Sequence, residues 1–131
     1  MLKSTGMFTG THVLLYSKDA DADRAFLDDV LGFRSVDAGH GWLIFALPPA
    51  EVAVHPTDDS GEAPAGGDML GAHLYLMCTD VEATVKSLGA KKVTCGPLSR
   101  ERWGIRTTIP LPSGGQIGLY QPLHPTAIAD R

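Results

Sequence analysis

What most limits the fold of this chain is an internal repeat. The run Thr11 to Tyr16 (THVLLY) is apolar and β-prone and leads to Asp19; the run Ala72 to Met77 (AHLYLM) does the same and leads to Asp80. The offsets agree, since 73 − 12 and 80 − 19 both give 61. Each Asp stands where its carboxylate can accept from the free N–H groups of a helix start. Ala22, Phe26 and Val30 then recur every four residues with Gly32 as a stop signal, and Val81, Val85 and Leu88 recur with Gly89 behind them. Three extended pieces follow each helix: about 34–38, 42–47 and 51–55 in the first half, and 92–95, 105–111 and 116–121 in the second. Pro56 and Pro122 close them. The order β-α-β-β-β thus occurs twice. One such unit is too small to bury both faces of its sheet, so pairing two of them completes a core.

The 131 residues therefore make a single domain over 1–131. Its parts are a first module at about 8–56, a connector at 57–68 (TDDSGEAPAGGD), a second module at about 70–122 and a tail at 123–131. Hydrophobic residues are 44% and charged residues 20%, a globular balance, and a chain of this length needs neither disulfide nor metal to hold a core. A bound metal would then be functional. The net charge of −4, with no basic cluster beyond Lys91-Lys92, argues against nucleic acid as a partner. No apolar run approaches bilayer length and no signal segment opens the chain, so the expectation is a cytoplasmic protein with no membrane partner. Cys78 and Cys95 sit in apolar stretches and belong to no CxxC pair; free, buried thiols are expected.

The repeat resembles the vicinal oxygen chelate superfamily of glyoxalases, extradiol dioxygenases and bleomycin resistance proteins. The residues that carry the resemblance are His12 in THVLLYSKD, the helix end DRAFLDDVLGF, His73 in AHLYLMCTD, and LPSGGQIGLYQP from Leu111 to Pro122. It implies an α+β fold in which two βαβββ modules form curled mixed sheets around a cleft, with a small-molecule ligand or substrate and a homodimeric assembly. A divalent metal such as Fe, Zn, Ni or Mn can lie in that cleft.

His12 and His73 hold equivalent places in the two repeats, so they are the candidate metal ligands. Metal-binding relatives carry a third, acidic ligand in the last strand of the second module, where this chain has Gly118. Glycine offers no donor. His55 or Glu51 in AEVAVHP is the candidate substitute, with Glu51 also the candidate catalytic base and the strand register undecided. Trp42, Trp103, Arg106 and Tyr120 are candidate substrate-binding residues: flat rings for stacking, a planar guanidinium for carboxylate or carbonyl oxygens, and a phenol. Tyr75 is a further candidate of the same kind. His40 lies between glycines in a turn and His124 in the tail; neither has a repeat partner, and neither is expected to bind metal.

Three readings stay open at this point. One is a glyoxalase-type or dioxygenase-type protein acting on a molecule with neighbouring oxygens through a metal. The second is a metal-free small-molecule (antibiotic-type) binding or resistance protein on the same scaffold, which needs only a concave face with a few polar groups. The third is a vestigial site, without cofactor, on a protein kept for interaction.

Overall fold

The computed structural model describes Met7, residues 9–56 and residues 69–128. The expected connector and the end of the tail lie outside these residues. The chain is mixed α+β, with helices α1 (Ala20–Asp29) and α2 (Val81–Ala90) and strands β1 (Ser35–Asp37), β2 (Leu43–Phe45), β3 (Tyr75–Met77), β4 (Ser99–Glu101), β5 (Gly104–Pro110) and β6 (Gln116–Pro122). Strands β1 and β2 pair as an antiparallel ribbon. The other four form an open mixed sheet in the order β3-β6-β5-β4, with β3 parallel to β6 and the remaining pairs antiparallel.

Both helices begin at the aspartates the repeat places there. The Asp19 carboxylate accepts from the Ala22 N–H at 3.1 Å and Asp80 from the Ala83 N–H at 3.0 Å, each satisfying a donor the helix itself leaves free. Their apolar faces meet on one side of the four-stranded sheet. Phe26 of α1 and Val81 and Leu88 of α2 form one buried cluster with Val93, Ile109, Ile117 and Leu119. The first half is also tied to the second by polar contacts: Asp23 of α1 accepts from Ser113, and the Lys91 ammonium donates to the Val30 carbonyl at 3.1 Å.

Four expected elements differ in the structure. Gly89 does not end the second helix, which runs through Ala90; the reversal falls at Lys92, with φ +65°. The Leu88 carbonyl accepts from both Lys91 and Val93, so the closing turn is set by returning Val93 to the core. The strand after α2 is Ser99–Glu101 and not 92–95, because Lys92–Val93 belong to that closing turn and the two-residue turn Arg102-Trp103 pairs β4 with β5.

The other two differences lie in the first module. Segments 11–16 and 51–56 carry no strand pairing among the described residues, although both are β-prone. Most of their side chains are exposed, Leu14 at 64%, Val52 at 89% and Val54 at 86%, while Glu51 is half-buried.

Among the described residues no helix is long and apolar enough to cross a membrane. Both cysteines are free and half-buried, and burial pushes the Cys95 thiol up.

Candidate functional site

Alternation along β5 and β6 gives the four-stranded sheet two unlike faces. Thr107, Ile109, Ile117 and Leu119 point to the helices. The register pairs Arg106 with Tyr120 and Thr108 with Gly118 on the opposite face, and β3 adds Tyr75 beside Gly118 and Met77 beside Tyr120. This second face has no helix on it and collects most of the residues singled out as ligand-binding.

Its centre is Tyr120. The Tyr75 ring meets it edge-on at 5.5 Å between centroids, and the Trp103 ring does so from the other side at 5.5 Å. Such edge-to-face contacts hold rings at fixed angles and leave π faces available to a flat ligand. The Tyr120 hydroxyl lies 3.2 Å from His124 Nε2, and His124 Nδ1 lies 2.8 Å from the Pro125 carbonyl. The phenol is pushed up by burial, then by the Glu51 carboxylate and by Tyr75. It therefore keeps its proton through and above the neutral range.

The tail packs against this cluster. Leu123 N–H donates to the Trp103 carbonyl at 2.8 Å, and Ala127 N–H donates to Glu51 Oε1 at 2.7 Å. Glu51 thus stands beside Tyr120, brought there from the first module, and it anchors the tail through one carboxylate oxygen.

Arg106 completes the face. Its Nε is 3.6 Å from Glu101 Oε2, too long for a hydrogen bond, while Ser99 donates to that same oxygen at 2.7 Å. The Nε atom is buried and, among the described residues, has no hydrogen-bond partner. An unmatched buried donor costs about 1–3 kcal/mol, and the planar guanidinium is the group on this face whose chemistry suits a carbonyl or carboxylate oxygen.

Trp42 lies away from this cluster. Its ring is 63% exposed and sits under the Arg24 guanidinium at 5.0 Å, a cation–π contact on the first module.

The candidate metal ligands are placed differently again. His12, His73 and His55 are all exposed. Among the described residues no three His, Cys, Asp or Glu side chains gather in a way that could hold a metal ion. Within one chain, His12, His73 and His55 therefore do not form a chelating set, and Glu51 does not complete one. The place of the missing acid is also filled. At Gly118 the Tyr75 ring lies so close that an added Cβ would fall on its Cδ2 and Cε2 atoms. A carboxylate at this position and the present Tyr75 rotamer exclude one another, so the second module does not fit a metal of the expected kind.

Sequence reasoning missed His124, because it lies beyond the second repeat and has no counterpart to mark it. It also missed Glu101 and Ser99, which belong to a strand expected seven residues earlier.

An α+β chain whose open, curled sheet turns one face to helices and carries a cluster of aromatic rings on the other matches a known class. A family model described as the Glyoxalase/Bleomycin resistance protein/Dioxygenase superfamily matches residues 11–116, and the chain belongs to that superfamily. Solved structures agree on the fold. An antibiotic binding protein from Streptomyces sp. CB03234 is 24% identical with a TM-score of 0.57, covering 88% of this chain and 98% of its own. A lactoylglutathione lyase from Agrobacterium tumefaciens is 21% identical with a TM-score of 0.59, covering 86% and 92%. A glyoxalase family protein from Enterococcus faecalis is 20% identical with a TM-score of 0.56, covering 87% and 98%. No curated protein matches the chain at a significant level.

Proposed function

We propose that this chain is a small-molecule binding protein on the glyoxalase scaffold, holding its ligand on the face built from Tyr75, Trp103, Arg106 and Tyr120 without a chelated metal. The observation that carries this reading is the Tyr75 ring seated on Gly118, which turns the usual place of a metal-binding acid into part of an aromatic wall. Ligand binding then rests on stacking plus a few directed hydrogen bonds, the ordinary economy of a small-molecule site. The likeness to an antibiotic binding protein is in keeping with it; the likeness to a lactoylglutathione lyase points to the metal-dependent alternative, in which His12 and His73 would act together.

The assembly we infer is a homodimer. Segments 11–16 and 51–56 pair with no strand among the described residues and present exposed apolar side chains, which a second copy would cover under twofold symmetry.

The test uses the full chain purified without added metal. Elemental analysis should find no stoichiometric metal, and stripping with chelator should leave the melting temperature unchanged. Flat aromatic probes, followed by NMR, should move the Tyr75, Trp103 and Tyr120 ring signals. Trp103→Ala should weaken that binding by about 2- to 10-fold, the worth of one aromatic contact. Bound Ni²⁺, Fe²⁺, Mn²⁺ or Zn²⁺ whose thermal shift disappears in a His12→Ala, His73→Ala protein would replace this reading with the metalloenzyme.

A further inference from the structure

His124 lies outside both repeats, yet its ring reaches back to the centre of the aromatic face. Its two nitrogens face unlike partners. Nδ1 is 2.8 Å from the Pro125 carbonyl oxygen, which can only accept, so Nδ1 carries the proton. In the neutral ring Nε2 is then an acceptor, and the atom 3.2 Å from it is the Tyr120 hydroxyl. The hydroxyl therefore donates its single proton to Nε2. The phenol oxygen keeps only lone pairs for anything that arrives, and a chain of hydrogen bonds through His124 to Pro125 strengthens it as an acceptor. The charged group that acts on this oxygen is Glu51, whose carboxylate disfavours loss of the phenol proton. A carboxylate has no proton to give it, and among the described residues the partner of this hydroxyl is His124.

We propose that His124 is a positioning residue that sets the hydrogen-bonding polarity of the ligand face. By taking the Tyr120 proton it leaves the phenol oxygen able only to accept, and the face selects flat aromatic ligands that carry an N–H or O–H donor at their edge over those that carry an acceptor there. The inference rests on reading the Tyr75, Trp103 and Tyr120 face as the ligand site.

Two measurements on the full chain test it. The first needs no ligand: ¹⁵N spectra of the imidazoles above the His titration range should show His124 as the Nδ1–H tautomer, and Tyr120→Phe should shift its Nε2 signal. An Nε2–H tautomer overturns the proposal. The second compares indole, whose ring N–H donates, with quinoline, whose ring nitrogen accepts, by titration of the aromatic-face signals. The preference for indole, read as the ratio of the two Kd values, should fall by about 2- to 10-fold in Tyr120→Phe, which removes the acceptor, and in His124→Phe, which frees the phenol proton for quinoline, the range for one hydrogen bond. His124→Gln, whose amide oxygen accepts the same proton, should keep the preference. An unchanged ratio in His124→Phe overturns the proposal while leaving the face as the ligand site. If neither probe moves the Tyr75, Trp103 or Tyr120 signals, the ligand-site reading fails and the proposal falls with it.

Discussion

Asp23 shows how one side chain holds the halves of this molecule together. Its early place in α1 reads from sequence as a favourable charge at a helix start, yet it is buried at 8% exposure and accepts three hydrogen bonds. Ser17 donates at 2.6 Å, and Ser113 donates twice, from its hydroxyl at 2.7 Å and its backbone N–H at 3.0 Å. Burial alone would raise this carboxyl, but the bonds from Ser17 and Ser113 outweigh it and hold the group below its ordinary value. A depressed carboxyl contributes stability that is fully present above its unfolded value and is lost as the pH falls through the folded one. Asp23→Ala should cost about 1–3 kcal/mol at neutral pH in urea unfolding, the price of stranding buried donors. Between about pH 4 and lower values, where a free aspartate takes up its proton, the variant's stability should fall less steeply than the wild type's. Nothing in the sequence announces the pairing of Asp23 with Ser113, since the two are 90 positions apart and follow no period.

The elements follow the repeat more faithfully in the second module than in the first. Asp19 and Asp80 cap their helices as the sequence places them, and Gly32 ends the approach to β1 with φ +75°. The last two strands of the second module stand where alternation puts them, and that alternation already joins Arg106 with Thr108 on one face. The exit from α2 was not legible, because a glycine at 89 is a stronger stop signal by type than a lysine at 92. Core burial of Leu88 and Val93 decides the matter, and Lys92 accepts the left-handed backbone that results. Such a conformation costs a non-glycine residue about 1 kcal/mol or more. Lys92→Gly should therefore raise the unfolding free energy by about 0.5–1 kcal/mol, read as a shift in the urea midpoint with an unchanged slope.

At the scale of the whole molecule, the chain leaves its first module half-made. Val52 and Val54 lie on the same side of one extended segment and are both almost fully exposed, and burying each is worth roughly 1.5 kcal/mol or more. Sedimentation should find a dimer at micromolar concentration, and Val52→Lys with Val54→Lys should shift it to monomer while the β3-β6-β5-β4 sheet keeps its circular dichroism. A wild type that sediments as a monomer would end the inference of a twofold assembly. What the sequence determined by itself is whatever repeats or alternates: the two helices and their caps, the positions of β5 and β6, and the membership of Arg106 and Thr108 in one face. These features are local, set by backbone donors at helix starts and by the two-residue period of a strand. Only the tertiary structure decided that Tyr75 would fill the space over Gly118, that Glu51 would reach the tail at Ala127, and that His124 would return to Tyr120. Each of these joins positions by shape and hydrogen-bond direction in three dimensions, and none of the three leaves a period in the chain.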